Sequence, residues 1–263
     1  MGASGTRVTI ERLTREGRQQ VEDFVTEEIP ITIILNGQEL VTLLCSPGNL
    51  KYLAVGFLAS EGLIKGKEEI GQVLVDDRRG VVRVATTGEK KDAGDLLFKR
   101  LITSGCGRGA SLSRAADASG LGKVTSEGRF SAAEILNLTR AFQQRSEVYR
   151  STGGVHSAAL CDNHSILVFA EDIGRHNAVD KVFGQAILED IVIRDPALIT
   201  SGRISSEILL KVAKRQVPFL ISRSAPTNAG VILAGNLGIT LVGFVRGVRM
   251  NVYAGGWRLT SGS

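Results

Sequence analysis

The sequence has few cysteines, few aromatic residues and no long apolar run. Only three of its 263 residues are cysteines, Cys45, Cys106 and Cys161, and this low, odd number argues for a reducing compartment and against a disulfide scaffold. Their spacing matches no metal site, and the N-terminus lacks the apolar core of a signal peptide. Glycines and an asparagine interrupt the most apolar region, 230–245. We therefore expect a cytoplasmic protein that binds no metal and does not enter a membrane.

The chain is basic, and its positively charged residues are scattered along the sequence. The formal net charge is +5 and the sequence pI is about 9.3. Because the lysines and arginines are scattered and only 5% of the residues are aromatic, we expect an anionic partner other than nucleic acid. With 43% hydrophobic residues, the chain can bury the core of one large domain or of two modest ones.

Residues 1–128 are predicted to form an N-terminal α+β region. The pair Asn36-Gly37 between two apolar runs is a strong β-hairpin signal, and a helix and a second hairpin follow it. Before residue 28 the charged sequence predicts one strand at most. Glycine, serine and charged residues dominate 88–128, which predicts a mobile loop around Cys106 and a domain boundary.

Residues 129–263 are predicted to form a larger α/β domain. Ser131 and Glu134 have the spacing of a capping box, and the helix they open is predicted to run to about Tyr149. From Val155 onward, short apolar runs alternate with amphipathic segments. This alternation predicts a largely parallel sheet that is covered by helices.

Basic and polar residues follow three of the predicted strands. The first corner contains Arg175 and His176, the second ends in Arg203, and the third contains Arg223. Corners after parallel strands lie along one edge of the sheet, where helix N-termini and guanidinium groups suit the phosphates of a ligand. The alternative is that the serines, threonines and asparagines only cap helices. Capping explains the hydroxyl groups but not the repeated arginine.

A fourth candidate segment follows the apolar run 239–243. It consists of Phe244, Val245, Arg246, Gly247, Val248 and Arg249. A purine base could stack on the aromatic ring while an arginine holds a phosphate. A turn with exposed arginines is the alternative.

Cys106 is the candidate nucleophile. It lies between two glycines and next to Arg108, and backbone N–H groups together with a cation stabilise a thiolate. The alternative is an incidental surface thiol. Cys45 and Cys161 lie in apolar runs and are expected to be inert core residues. His156 is a further candidate for the site.

Taken together, the motifs resemble those of the formate dehydrogenase accessory sulfurtransferases, the FdhD family. The resemblance extends from about Glu28 to Tyr253, and many separate motifs occur in the right order. They are Glu28-Ile-Pro30, Asn36-Gly37, Leu53-Ala-Val-Gly-Phe-Leu58, Glu61-Gly62, Ser104-Gly-Cys-Gly107, Thr152-Gly-Gly-Val-His-Ser157, Glu171-Asp-Ile-Gly-Arg-His-Asn-Ala-Val-Asp-Lys181, Thr200-Ser-Gly-Arg203, Ser222-Arg-Ser-Ala-Pro-Thr227 and Gly243-Phe-Val-Arg246.

The resemblance implies a cytoplasmic homodimer with a cytidine-deaminase-like α/β/α domain that lacks the deaminase zinc site. It also implies a sulfur carrier. Cys106 would accept a persulfide from a cysteine desulfurase and pass its sulfur to molybdenum bis(molybdopterin guanine dinucleotide), for the catalytic subunit of formate dehydrogenase. The cofactor-binding segment falls on Phe244 to Arg249, so GDP is expected to bind as a fragment of the cofactor.

Two other functions stay open at this point. Family members often carry a second cysteine in the loop, and here Gly109 stands in its place, so any carrier in this chain uses one loop cysteine. The first alternative is a chaperone that binds the molybdenum cofactor without sulfur chemistry. The second is a metal-dependent deaminase-type hydrolase.

Overall fold

The computed structural model describes residues 5–88, the backbone of 101–102, and residues 121–260. Cys106 lies outside the described residues. The strands are β1 (Gly5–Thr14), β2 (Gly17–Thr26), β3 (Ile29–Leu35), β4 (Gln38–Cys45), β5 (Ile70–Asp76), β6 (Val81–Thr86), β7 (Leu101–Ile102), β8 (Phe130–Ser131), β9 (His156–Cys161), β10 (Ile166–Asp172), β11 (Ala197–Thr200), β12 (Phe219–Ser222), β13 (Thr240–Arg246), β14 (Arg249–Ala254) and β15 (Leu259–Thr260). The α-helices of the described part are α1 (Leu50–Glu61), α2 (Ala132–Arg145), α3 (Glu147–Thr152), α4 (Arg175–Leu188), α5 (Ser206–Lys214) and α6 (Asn228–Leu237).

The N-terminal part contains a five-stranded sheet with the order β5-β6-β3-β4-β7. The predicted hairpin at Asn36-Gly37 is confirmed, because β3 and β4 pair antiparallel and both turn residues have positive φ, 51° and 85°. The second predicted hairpin is also confirmed, since β5 pairs antiparallel with β6. The expectation of at most one strand before residue 28 is wrong. β1 and β2 form an antiparallel two-stranded ribbon, and its largely exposed residues gave no apolar periodicity to detect.

The C-terminal part is a six-stranded sheet with the order β10-β9-β11-β12-β13-β14. β11, β12 and β13 pair parallel, while β9 runs antiparallel to both of its neighbours and β14 runs antiparallel to β13. The strands β10, β11, β12 and β13 therefore share one direction, and the prediction of a largely parallel sheet is wrong only for β9 and β14.

Helices cover both faces of this sheet. Leu198, Leu220 and Leu241 face α4, α5 and α6 within one apolar cluster. The intervening strand residues, such as Ile199 and Ile221, face α2 in another. This alternation follows from the period-two geometry of strands, and it confirms the predicted α/β class.

The helix that begins after Ser131 is shorter than expected. The capping box is confirmed, since Ser131 Oγ accepts the Glu134 N–H and a Glu134 carboxylate oxygen accepts the Ser131 N–H. The prediction that the helix runs to Tyr149 is wrong. α2 ends at Arg145, and the Ser146 hydroxyl bonds with the Ser157 hydroxyl of β9 at 2.9 Å. A separate helix, α3, then begins.

The two sheets are joined by a close crossing of α1 and α4. A Cβ at Gly56 would lie 1.7 Å from the Asp180 carbonyl oxygen, and a Cβ at Gly184 would lie 1.9 Å from the Tyr52 carbonyl oxygen. Both positions therefore require glycine for the two backbones to touch. The division into domains at residue 128 stays a prediction. No helix among the described residues has the length and hydropathy of a membrane span.

We expect Gly56→Ala to lower the free energy of unfolding by at least about 3 kcal/mol, the upper end of ordinary overpacking, because the added methyl group meets backbone rather than a flexible side chain. Urea unfolding measures the change. The matched control is Gly235→Ala in α6, where an added Cβ meets no atom within 4 Å. That variant is expected to be neutral or to gain about 0.4–1 kcal/mol. Equal stability of the two variants would contradict the crossing.

Candidate functional site

Four loops meet at one edge of the six-stranded sheet. Because β10, β11, β12 and β13 share a direction, the segment after each strand lies at this edge, and antiparallel β9 starts there with His156. Backbone hydrogen bonds connect the loops. The Arg223 N–H donates to the Thr200 carbonyl at 3.3 Å, and the Phe244 N–H donates to the Ser224 carbonyl at 3.1 Å. These bonds join the second and third predicted arginine-bearing corners and the Phe244 segment, and the first corner is adjacent to the second because Arg175 packs on Gly202.

The corner between β10 and α4 is built around a buried ion pair. Lys181 Nζ lies 2.8 Å from Asp172 Oδ2, and both side chains are almost fully buried. Asp172 Oδ1 also accepts the Gly174 N–H and the Asn177 carboxamide N–H at 2.8 and 2.9 Å. Most of the polar residues of this motif therefore bind one another, and they are not available to a ligand.

The same network holds the end of β4. The Ser46 N–H donates to Asp172 Oδ2 at 3.1 Å, Lys181 Nζ donates to the Ser46 carbonyl, and the Asn177 carboxamide donates to the Leu44 carbonyl at 2.9 Å. Ser46 Oγ in turn accepts the Ile173 N–H. The N-terminal sheet is thereby fixed against the edge that carries the candidate site.

Arg175 and Arg223 carry buried nitrogens that have no hydrogen-bond partner. In both side chains the Nε atom is buried and bonds to no group of the described residues. Arg175 reaches towards the β11 corner, where it packs on Gly202. A Cβ at Gly202 would lie 2.8 Å from Arg175 Cβ. Since buried donors are nearly always satisfied, these two atoms fit an anionic oxygen of a ligand.

His176 is held in its neutral form. Burial, together with the nearby Lys211, Arg175 and His156, lowers the pKa of His176 to about 3. Its Nε2 lies 3.4 Å from a carboxylate oxygen of Glu207. At neutral pH the imidazole is therefore uncharged, and its N–H can be directed to that carboxylate.

His156 is also neutral, and it is positioned by Ser201. Burial lowers the pKa of His156, and the nearby Arg175 cation adds to the effect, while Asp172 opposes it. His156 Nδ1 lies 3.3 Å from Ser201 Oγ, and that oxygen accepts the Ser157 N–H at 3.0 Å.

A cavity of about 700 Å³ opens beside these groups. His156, Ser201, Arg223 and Arg246 line it from the sheet edge. Its volume is in the range of small-molecule sites. The opposite wall comes from α2, α3 and the residues after them, namely Gln143, Ser146, Tyr149, Arg150, Gly153 and Gly154.

The sequence reasoning missed this second wall. Tyr149 lies in α3 and is 48% exposed. Glu171 fixes α3, because its carboxylate accepts the Val148 and Tyr149 N–H groups at 3.1 Å each. The glycine pair Gly153-Gly154 directly after a short polar segment was the available signal for a break in the chain.

The Phe244–Arg249 segment comprises the end of β13, the two-residue turn Gly247-Val248 and the first residue of β14. Phe244 adopts a left-handed backbone conformation with φ 51°, which is uncommon for a bulky residue and is frequent at functional sites. Arg246 lies 5.6 Å from the centre of the Phe244 ring, and its Nε donates to the Arg223 carbonyl. Val245 is buried in the core, whereas Gly247, Val248 and Arg249 are exposed.

The site residues that were predicted from the sequence differ in where they lie relative to the cavity. Arg223 and Arg246 line the cavity, and Arg175 and His176 lie at the same edge. Arg203 is exposed and does not line the cavity. Within residues 5–88 and 121–260, no group of three or more His, Cys, Asp and Glu side chains could hold a metal ion.

The two described cysteines are poor nucleophiles. Cys45 and Cys161 are fully buried, and burial raises the pKa of each thiol to about 12. This agrees with the expectation that both are inert core residues. The predicted role of Cys106 lies outside the described residues.

Comparison with known proteins gives a consistent result. The sequence model of the FdhD/NarQ family matches residues 26–260. The chain is similar to the sulfur carrier protein FdhD of Bacillus pumilus strain SAFR-032, with 42% identity over 247 residues that cover 94% of each chain. It is also similar to the sulfur carrier protein FdhD of Staphylococcus aureus strain MRSA252, with 43% identity over 89% of this chain and 88% of that protein.

A solved structure has the same fold. It is the crystal structure of a protein from Desulfotalea psychrophila that is described as a formate dehydrogenase accessory protein. The TM-score is 0.81 at 28% sequence identity, and the match covers 98% of this chain and 100% of the other. From the family match, the curated relatives and this fold together, the chain belongs to the FdhD/NarQ family.

Proposed function

We propose that this protein is a sulfur carrier that serves formate dehydrogenase. Cys106 receives sulfur as a persulfide from a cysteine desulfurase. The protein then passes that sulfur to the molybdenum of bis(molybdopterin guanine dinucleotide), which goes on to the catalytic subunit of formate dehydrogenase. The names of the curated relatives and of the solved accessory protein support this proposal.

The observation that carries the cofactor part of the proposal is the pair of unpartnered arginine nitrogens. Arg223 lines the cavity together with Arg246, and Arg175 lies at the same edge of the sheet, where it packs on Gly202. Arginine binds phosphate through several N–H groups in a fixed plane. A dinucleotide carries two adjacent phosphates and a base, and this edge offers guanidinium groups for the phosphates and the Phe244 ring for the base. GDP is accordingly the expected minimal ligand.

The sulfur step needs one reactive thiolate. The Cys106 thiolate attacks the terminal sulfur of the desulfurase persulfide. A new S–S bond forms at Cys106, the old S–S bond breaks, and its electron pair leaves with the desulfurase thiolate. Cys45 and Cys161 cannot take this role, because a thiol with a pKa of about 12 is protonated at neutral pH and neither is accessible.

The direction of β7 is compatible with a carrier cysteine that follows this strand. β7 pairs parallel with β4, with Ile102 opposite Leu43, so β7 runs towards the β4 end that the Asp172 network holds. Cys106 follows Ile102 by four residues in the sequence.

The cofactor contains two guanine dinucleotides, so a homodimer with one cavity per chain would supply two equivalent sites. We include that homodimer, and a location in the cytoplasm, in the proposal.

Replacement of Cys106 separates sulfur transfer from cofactor binding. We expect Cys106→Ser to abolish support of formate dehydrogenase activity while GDP affinity stays unchanged, because the serine hydroxyl cannot carry sulfur. The matched control is Cys161→Ser, whose effect is expected on stability alone. Complementation of formate dehydrogenase activity and calorimetry with GDP measure the two properties. If Cys106→Ser supports full activity, the cofactor-binding chaperone replaces the sulfur carrier as the function.

Thiol titration tests the reactivity of the cysteines. At pH 8 a thiol with a pKa of about 12 has a thiolate fraction on the order of 10⁻⁴. Native protein should therefore react rapidly with a disulfide reagent at a single thiol per chain, and Cys106→Ser should remove that reaction. Rapid labelling of Cys45 or Cys161 before unfolding would show that the carrier thiol was misassigned.

The arginine site is tested by nucleotide affinity. Arg223→Ala and Arg246→Ala are each expected to weaken GDP binding by at least about tenfold, since a hydrogen bond to a charged group contributes about 1.5–3 kcal/mol. Calorimetry at two salt concentrations should show weaker binding at the higher one. Arg194, whose side chain is 97% exposed, provides the control variant Arg194→Ala. Wild-type affinity in both site variants would remove these arginines from the binding site.

A further inference from the structure

His156 occupies a central place at the cavity, and the proposed sulfur chemistry gives it no task. It is the first residue of β9 and pairs with Asp172 of β10. The imidazole lines the cavity together with Arg223 and Arg246. In the described part of the chain, its one hydrogen-bond contact is between Nδ1 and Ser201 Oγ, at 3.3 Å.

The backbone fixes the Ser201 side chain. The Ser201 N–H donates to the Ser157 carbonyl at 3.0 Å, and the Ser157 N–H donates back to Ser201 Oγ at 3.0 Å. These two bonds tie the β11 corner to the start of β9. One lone pair of the hydroxyl oxygen is used, and its proton needs an acceptor.

His156 Nδ1 lies within reach of that proton. Throughout residues 5–88 and 121–260, Ser201 Oγ has hydrogen-bond contacts with the Ser157 N–H and with His156 Nδ1 alone. The first is a donor, so in this part of the chain Nδ1 is the one contact of Ser201 Oγ that can accept the hydroxyl proton. A neutral imidazole carries one proton, and an Nδ1 that accepts leaves that proton on Nε2.

We propose that Ser201 is a positioning residue that fixes His156 as the Nε2–H tautomer, and that His156 donates this N–H to an acceptor oxygen of the ligand in the cavity. The ligand is the guanine dinucleotide of the proposed function, on which this inference rests. The acceptor is a phosphate oxygen, because the guanidinium groups of Arg223 and Arg246 line the same cavity and attract the phosphates.

A neutral donor complements the arginines at this place. The nearby Arg175 cation and burial both disfavour the imidazolium, as the lowered pKa of His156 reflects. A neutral N–H still forms a directional hydrogen bond. It selects an oxygen at one point of the cavity wall, whereas a further cation would add attraction without the same geometric choice.

The tautomer is measured first, without a ligand. The ¹⁵N chemical shifts of the two imidazole nitrogens distinguish the tautomers, and His156→Gln assigns the signals among the three histidines of the chain. Wild-type protein should show protonated Nε2 and unprotonated Nδ1. Ser201→Ala should move protons towards Nδ1, and Ser201→Thr should restore the wild-type pattern. A wild-type His156 protonated at Nδ1 would overturn the proposal, whatever the protein binds.

A pair of amide replacements tests the donor. The side-chain NH₂ of glutamine can take the place of the imidazole Nε2, whereas that of asparagine reaches only the Nδ1 position. His156→Asn is expected to weaken GDP binding about tenfold or more, and His156→Gln less than about threefold. His164→Asn, in the exposed turn between β9 and β10, is the control for a histidine replacement away from the cavity.

Three probes identify the acceptor oxygen. If the loss in His156→Asn extends from GDP to inorganic pyrophosphate, the acceptor is a phosphate oxygen. If it extends to guanosine instead, the N–H binds the base, and the phosphate assignment is overturned. Equal affinities of the Asn and Gln variants for GDP would overturn the donor role. Failure of wild-type protein to bind GDP would instead overturn the nucleotide site of the proposed function, and the tautomer measurement would still stand.

Discussion

The buried ion pair between Asp172 and Lys181 is the interaction on which the arrangement of this protein depends. Side chains this deep in a protein lose most of their hydration, and such a pair is tolerated only where hydrogen bonds complete it. Here Asp172 accepts bonds from the Ser46 N–H, the Gly174 N–H and the Asn177 carboxamide, and Lys181 also donates to the Ser46 carbonyl. The pair therefore fixes three chain segments at one point: the end of β4, the corner after β10 and the start of α4.

This constraint explains how a small N-terminal sheet is held against the edge of the larger one. The glycine crossing of α1 and α4 brings two helix backbones into contact, and a second buried pair lies beside it. Lys211 Nζ donates to Asp180 Oδ2 at 2.5 Å, and the Ser60 hydroxyl donates to Asp180 Oδ1 at 2.6 Å. Charged groups from α4 and α5 thus meet a hydroxyl from α1. Interactions of this kind require specific partners, so they fix one relative placement where apolar packing alone would permit several.

Much of the fold could be predicted from local patterns. Asn36-Gly37 and the Ser131–Glu134 capping box specify their structures through adjacent residues. The alternation of strands and helices after Val155 placed Arg175, Arg203 and Arg223 at one edge of the sheet. These predictions held because the periodicity of apolar residues reports which face of an element is buried.

The roles of individual residues in the site could be predicted from the sequence less well. Asp172, Asn177 and Lys181 belong to the polar motif after β10 that suggested a ligand site. Besides one another they bind Leu44 and Ser46, and Ser46 lies 126 residues away from Asp172 in the sequence. The break after α2 depends on the hydrogen bond between Ser146, which follows α2, and Ser157 of β9. The sequence therefore did not predict that α3 forms a wall of the cavity. Local sequence identifies the polar residues of a motif, but only the tertiary structure shows which of them are left for a ligand.

We propose that sulfur travels on Cys106. Mass spectrometry of the protein after incubation with a cysteine desulfurase and cysteine tests it most directly, with alkylation of the persulfide and peptide mapping to locate the modification. We expect the mass of added sulfur on the peptide that contains Cys106, and unmodified Cys45 and Cys161. If the desulfurase is loaded with sulfur and the Cys106 peptide gains none, Cys106 is not the sulfur carrier.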